Sequence, residues 1–225
     1  MTAPIRIAIA GTGRMSKAVV EAIARRDDCA LAGAWSRDDD LGALLAAADV
    51  LIDFTLPEAT AHIAAACAAA SCPLVCGVTG LGEDGDAALA AAAGKIPVLY
   101  DRNMSVGIAA LSAVLPTLAT ALGGDYRVSI NETHHVHKQD APSGTALKLG
   151  ETITGVLPGV DIEYASERRG EVPGDHEVVF RSATETIRVS HSVVTRDVFA
   201  EGAVRAALWL IGRSPSRYSM KEVLS

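Results

Sequence analysis

Between Asn131 and Gly150 the chain reads NETHHVHKQDAPSGTALKLG. His134, His135, His137 and Lys138 fall within five residues, and Pro142-Ser143-Gly144-Thr145 opens an alternating small and apolar helix pattern. Both halves of this stretch favour an anion. Pro142 suits a first helical turn, and the hydroxyls of Ser143 and Thr145 lie beside the unpaired N–H groups and positive dipole end of the helix that follows. Lys138 adds a full charge with three donors and no acceptor. The pattern is that of a site for a small carboxylate-bearing ligand.

The element that must carry the histidines is a strand, because Tyr126 to Glu132 (YRVSINE) alternates polar and apolar residues. On a strand Glu132 and His134 point to one face, and His135 and His137 to the other. Glu132 then holds His134 and makes it more basic, which suits an acid or base working near neutral pH, and His135 is left as a ligand donor. Any single histidine here also fits a polar strand end in water; four basic residues beside a helix start favour the ligand site. The spacing His-His-x-His invites a metal, but Lys138 would repel a cation and no carboxylate or cysteine pair completes the set, so the expectation is no metal.

Upstream, the chain repeats strand and helix patterns. Ile5 to Ala10 is a short apolar run leading into Gly11-Thr12-Gly13-Arg14-Met15-Ser16 and a helical pattern. Strand, glycine turn and helix form the dinucleotide-binding arrangement: Gly11 permits the turn, Gly13 admits the pyrophosphate, and the helix N-terminus faces its charge. Leu31 to Trp35 is a second strand, ending at Ser36-Arg37 where an acidic residue would hold the ribose of NAD. Arg37 suits a 2′-phosphate with Ser36 helping, so NADPH is expected over NADH; in the alternative, Asp38 or Asp39 takes the ribose. Further strands at Asp49 to Phe54, 73–76 and Pro97 to Tyr100 place Phe54 and Thr55, Gly77, Val78 and Thr79, and Asp101, Arg102, Asn103 and Met104 along the carboxyl rim where such sheets bind ligands. Thr79 is expected to serve both cofactor and substrate.

Asn103 to Gly107 reads as the crossing into a second domain, which begins with an apolar helix over Gly107 to Leu122 that Pro116 bends. Asp161 to Ser166, His176 to Arg181 and Glu185 to His191 alternate as strands and join Tyr126 to Glu132 in a mixed sheet. The fold expected is α/β: a Rossmann-like dinucleotide-binding domain from residues 1–104 plus 197–225, and an α+β mixed-sheet domain for substrate binding and oligomerisation from 105–196. A hinge at Asn103 to Gly107 and after His191 would close one on the other. With 49% hydrophobic and 21% charged residues the chain is globular, and a net charge of −7 without a basic run argues against nucleic acid. No apolar run is expected to span a membrane, and no leader precedes the first strand, so a cytoplasmic location is expected. Cys29, Cys67, Cys72 and Cys76 sit in alanine-rich or apolar surroundings and read as buried thiols.

The run E-x-H-H-x-x-K-x-D-A-P-S-G-T-A, at Glu132, His134, His135, Lys138 and Asp140 to Ala146, resembles the signature of the dihydrodipicolinate reductases of lysine and diaminopimelate biosynthesis. The resemblance extends to the rim segments, which in that family are F-T, G-T-T-G and N-F-S or N-M-S beside the nicotinamide, and to the closing FAEGAVRAALWLIG and YSMKEVL. It implies reduction of 4-hydroxy-tetrahydrodipicolinate by hydride transfer to ring C4 from NADPH or NADH, with His134 and Lys138 catalytic and His135, Ser143, Gly144 and Thr145 on the substrate carboxylates. It also implies a homo-oligomer, tetramer or dimer, built through the sheets of the second domain. Departures are a first glycine loop one residue short that ends in Ser16, Val78 in place of a threonine, Ser36 where the family has glutamate, and only EVPGD between Gly170 and His176. These leave open a dehydrogenase for another small dicarboxylate imine, or a non-catalytic NADP-binding sensor of the same fold.

Overall fold

The computed structural model describes residues 3–224. The chain divides into two compact units: one runs to Val106 and resumes at Asp197, and the other is Gly107–Arg196.

In the first unit, β1 (Ile5–Ala10), β2 (Cys29–Trp35), β3 (Val50–Asp53), β4 (Leu74–Cys76) and β5 (Pro97–Tyr100) alternate with α1 (Arg14–Ala24), α2 (Leu41–Ala46), α3 (Pro57–Ala69) and α4 (Gly82–Ala93). The strands are short, nearly continuous apolar runs because both faces of a parallel sheet are covered; β3 is buried along its whole length. A late strand, β10 (Ser216–Tyr218), pairs in parallel with β5 and completes the order β10-β5-β4-β3-β1-β2. Ala10 pairs with both Trp35 and Asp53, Asp53 with Cys76, and Cys76 with Tyr100. The carboxyl ends of five strands therefore fall in one row, and the order reverses at β1, flanked by β2 and β3, where ligands bind in such sheets.

Late in the chain, α7 (Asp197–Leu210) packs on α1 and β3 to β5 of this unit. Ala200, Gly202, Ala203, Ala206 and Ala207 form its buried face. The small side chains let it approach closely: a Cβ on Gly202 would lie 1.8 Å from the Met104 carbonyl oxygen.

The second unit begins with α5 (Val106–Leu122) and holds β6 (Arg127–His134), α6 (Gly144–Thr154), β7 (Ile162–Arg168), β8 (Asp175–Arg181) and β9 (Thr186–Ser192). The sheet order is β7-β6-β8-β9, with β6 and β7 parallel and the other pairs antiparallel, so the sheet is mixed. β6 runs two residues further than its alternation indicates and takes His134 into the sheet. Val128, Ile130, Val178 and Phe180 pack with Leu111, Leu115 and Ala119 of α5 and Ala146, Leu149 and Ile153 of α6. Each such fully buried aliphatic or aromatic side chain contributes about 1.5–3 kcal/mol relative to exposure. The opposite face is polar: Asn131 Nδ2 donates to Glu177 at 3.1 Å, and Glu177 pairs with Arg188 at 3.0 Å.

One expectation is corrected here. The stretch Val106–Asp125 is long and apolar enough to cross a membrane by length and composition. Its Leu111, Leu115 and Ala119 are core residues of the second unit.

Candidate active site

The rim of the first unit starts at Gly11, whose φ of +105° is left-handed and whose amide donates to the Trp35 carbonyl at 2.9 Å. A Cβ there would meet Ser16 Oγ at 3.0 Å and the Phe54 carbonyl oxygen at 3.3 Å, so only glycine makes this turn without strain. Gly13 is the N-cap of α1 and offers no side-chain acceptor, leaving the first-turn N–H groups beside the exposed Thr12, Gly13 and Arg14, with Met15 half-buried behind them. The first turn holds no acidic residue, so the dipole end is open to an anion. A cavity of about 340 Å³ runs alongside, lined among others by Gly11, Trp35, Arg37, Phe54 and Thr55. These residues fit a dinucleotide phosphate and its adenosine half.

At the end of β2 Ser36 is tied into its own turn. Its amide and hydroxyl both donate to Asp39 Oδ2, at 2.8 and 2.7 Å, and the hydroxyl hydrogen bond holds the Asp39 carboxyl below its usual range. Ser36 and the exposed cation Arg37 both line the cavity.

Further along the rim, Gly77 faces Phe54 so closely that a Cβ would lie 2.2 Å from Phe54 Cε1. Thr79 and Arg102 are exposed. Val78, Asp101 and Met104 are buried, so their side chains shape the rim from within. Asp101 accepts from the Asn103 amide at 3.2 Å and the Met220 amide at 3.3 Å, and Asn103 Oδ1 from the Ser105 amide at 2.9 Å, which fixes the loop. Beneath the rim, Asp53 is fully buried; burial raises its pKa to about 6 against a hydrogen bond from Thr55.

In the second unit, the alternation of β6 turns Glu132 and His134 inward, 3% and 7% exposed. Glu132 Oε1 accepts from the Ser143 amide and from Arg168 Nη2, both at 3.1 Å. Glu132 Oε2 lies 2.8 Å from His134 Nδ1, an ion-pair contact whose angle falls short of an aligned hydrogen bond. Burial pushes the Glu132 carboxyl up, but hydrogen bonds from Ser143, Ser166 and Arg168 more than offset this and hold it below its usual range. For His134 burial lowers the pKa, Lys138 and Arg168 lower it further, and Glu132 and Asp140 act against them. The rings of His134 and His176 meet edge to face at 5.1 Å. Burial takes His176 down to about 4, so it is neutral near pH 7.

The Lys138 ammonium sits 2.7 Å from Asp140 Oδ1. The Asp140 carboxyl is held below its usual range, burial acting against the hydrogen bonds from Lys138 and the Gly144 amide. Ser143, 1% exposed and extended at φ −66° and ψ 153°, is the N-cap of α6: its Oγ accepts from the Ala146 amide at 3.1 Å and lies 3.4 Å from His176 Nε2. One expectation changes accordingly: Pro142 precedes the cap instead of opening the helix. The Ser143 hydroxyl is turned inward, onto the helix start and His176. His135, Gly144 and Thr145 are half-buried on the outer side of this network.

Among the described residues, Glu132, His134 and His176 place one ligand atom each within 4.8 Å of one another. Arg168 already holds that carboxylate and Lys138 lies close enough to His134 to lower its pKa. Such positive charge opposes a cation, and the donor set acts as a hydrogen-bond network. Sequence reasoning missed Arg168, His176 and the role of Asp140. His176 pairs with Glu132 across β8 and β6, and Arg168 with His134 across β7 and β6, neighbours that only the register supplies.

Residues 5–104 match the family described as dihydrodipicolinate reductase, N-terminus, and residues 107–224 match dihydrodipicolinate reductase, C-terminus. A 4-hydroxy-tetrahydrodipicolinate reductase of Alkalilimnicola ehrlichii is 40% identical, covering 97% of this chain and 98% of its own. The enzyme of that name from Acidiphilium cryptum is also 40% identical, covering 99% and 98%. Among solved structures, a dipicolinate-bound dihydrodipicolinate reductase from Paenisporosarcina sp. TG-14 superposes with a TM-score of 0.83 at 20% identity, over 97% of this chain and 99% of that one.

Proposed function

The chain belongs to the dihydrodipicolinate reductase family, and from that premise we propose that it reduces 4-hydroxy-tetrahydrodipicolinate to tetrahydrodipicolinate with NAD(P)H, in the diaminopimelate and lysine pathway. The substrate gains a hydride at ring C4 and a proton, and its hydroxyl leaves as water. When bound, the reduced dinucleotide supplies the hydride. Left-handed Gly11, the uncapped first turn of α1 and the cavity beside Arg37 support binding of its phosphates and adenosine half in the first unit.

The observation that carries the assignment of roles is the Glu132–His134 contact with the Lys138 ammonium on the adjoining loop. Electron density builds on the ring as hydride arrives, and a cation beside it lowers the barrier. We assign that stabilisation to Lys138, and the proton to His134, whose Nδ1 Glu132 orients. In the second unit His135, Gly144 and Thr145 take the carboxylates, and Ser143 supports them by capping α6; Thr79 keeps the proposed cofactor and substrate role on the rim of the first unit. Preference for NADPH is assigned to Arg37, an exposed cation with no acidic residue at position 36. The same reading includes a cytoplasmic homo-oligomer, tetramer or dimer, assembled through the polar sheet face opposite α5 and α6.

The test is an assay in which the substrate is generated freshly from pyruvate and aspartate semialdehyde, and cofactor absorbance is followed with NADPH and NADH in parallel. Oxidation dependent on the generated substrate is expected, faster with NADPH. Tight dinucleotide binding without oxidation would overturn the reading.

A further inference from the structure

Arg168 closes β7, and its guanidinium reaches three separate segments of the second unit. Nε donates to the Lys138 carbonyl at 3.2 Å, Nη2 donates to Glu132 Oε1 at 3.1 Å and also to the Asp140 carbonyl, and Nη1 donates to the carbonyl of Glu167 at 2.7 Å. The side chain is one-fifth exposed. A guanidinium holds its donors in a rigid planar fork, so acceptors that share one are fixed relative to each other. Here the acceptors are the carboxylate that orients His134 and two carbonyls of the loop that carries Lys138.

That loop, residues 135–143 between β6 and α6, has no strand or helix of its own. Its other ties to β7 and the turn after it lie at its start: the Val136 amide on the Gly170 carbonyl at 3.1 Å, the Arg169 amide on the His134 carbonyl at 2.8 Å, and exposed His137 Nε2 3.5 Å from Glu171 Oε1. At the Lys138 to Asp140 end, Arg168 ties the loop to the sheet.

We infer that Arg168 is a positioning residue for the reaction, setting the separation and orientation of the Lys138 ammonium and the His134 imidazole without itself touching the substrate. This rests on the roles proposed above for His134 and Lys138. Lysine at position 168 would keep a positive charge near Glu132, but a single ammonium cannot span the acceptors that the fork spans. Glutamine would lose both fork and charge. The groups that face His134 are Glu132 on its own strand, Lys138 and Asp140 on the loop, Arg168 on β7 and His176 on β8. Removing the Arg168 charge alone takes away one of the cations that depress protonation of His134.

Steady-state kinetics of Arg168→Lys, Arg168→Gln and His134→Gln, each checked for an unchanged melting temperature, test this. In Arg168→Lys kcat is expected to fall about 10- to 100-fold with KM for the dinucleotide within about twofold of the original. The alkaline limb of its pH profile is expected to stay in place. In Arg168→Gln the same loss is expected with that limb moved to higher pH. Should Arg168→Gln fail to fold, Arg168→Lys carries the test alone. Wild-type kcat in Arg168→Lys, or equal losses in both variants with no movement of the limb, would overturn the inference. Full activity in His134→Gln would instead remove the premise about His134, a failure distinct from that of the inference.

Discussion

The Lys138 ammonium and the Asp140 carboxylate lie 2.7 Å apart, so the cation assigned to the substrate already holds an anion of the protein. The Gly144 amide at the start of α6 donates to the same carboxylate. An incoming carboxylate must share or displace Asp140. Lys138→Ala is expected to lower kcat about 10²- to 10³-fold, because developing charge on the ring loses its counter-ion. Asp140→Asn keeps the ammonium and removes its competitor, so KM for the dicarboxylate should fall about two- to fivefold. Initial rates against substrate concentration give both values; a rise in KM for Asp140→Asn would show that the aspartate aims Lys138 more than it competes for it.

His134 protonates less readily than an ordinary histidine, burial being the main cause. If it supplies the proton, kcat/KM of the free enzyme should decline as pH rises through a value below 6.5. A bound dicarboxylate favours the protonated ring, so the limb in kcat should lie at higher pH. His134→Gln should abolish the limb and lower kcat about 10²- to 10⁴-fold. A pH–rate profile from pH 5 to 9, on the order of the range where histidines titrate, is the measurement.

Arg37, in the Ser36–Asp39 turn, is the residue proposed to read the 2′-phosphate. Arg37→Ala should raise KM for NADPH by about tenfold or more, while NADH changes little. Equal effects on the two would mean that the 2′-phosphate is read elsewhere.

Asp53 gives the first unit a pH-dependent stability of definite sign. Its pKa rises from 3.8 to about 6 on folding. The folded state therefore holds the proton more tightly; the stability this contributes is complete below 3.8 and is lost as pH rises through 6. Asp53→Asn keeps an acceptor for the Thr55 amide and removes the buried charge, so its advantage should grow between pH 4 and pH 8 to about 1–3 kcal/mol. Urea denaturation at both pH values would reveal a flat difference if Asp53 titrated alike in the folded and unfolded states.

Gly77→Ala should displace the Phe54 ring, since a Cβ would lie 2.2 Å from it. A destabilisation of about 1–3 kcal/mol is expected, with weaker dinucleotide binding measured by fluorescence titration.

The layout of β1 to β5 could be read from the sequence because each is a mostly apolar run ending in a glycine or polar break, and parallel sheets place those ends in one row; the polar, exposed β10 (Ser216–Tyr218) gave no such signal. Glu132 and His134 were legible for a similar reason, since a period of two needs no tertiary information. The partners were not. Arg168 and His176 are separated from Glu132 by 36 and 44 positions along the sequence, and they meet it only through the register of β6 with β7 and β8. The capping role of Ser143 was not legible because a capping hydroxyl and a ligand-facing one carry the same sequence signature, and its backbone angles and burial come only with the structure. At Ser36 the sequence did not show that the acceptor three residues on takes its hydroxyl.

The placement of β10 bears on how the protein is made. The sixth strand of the first sheet comes from residues 216–218, after the whole of the second unit has been synthesised. The second unit is one continuous segment and can close as soon as residue 196 has emerged, whereas β5 keeps an unpaired edge until the last strand arrives. The unit begun first on the ribosome is thus the one finished last. Until then the nascent β1 to β5 sheet carries an open strand edge of the kind that pairs with other chains.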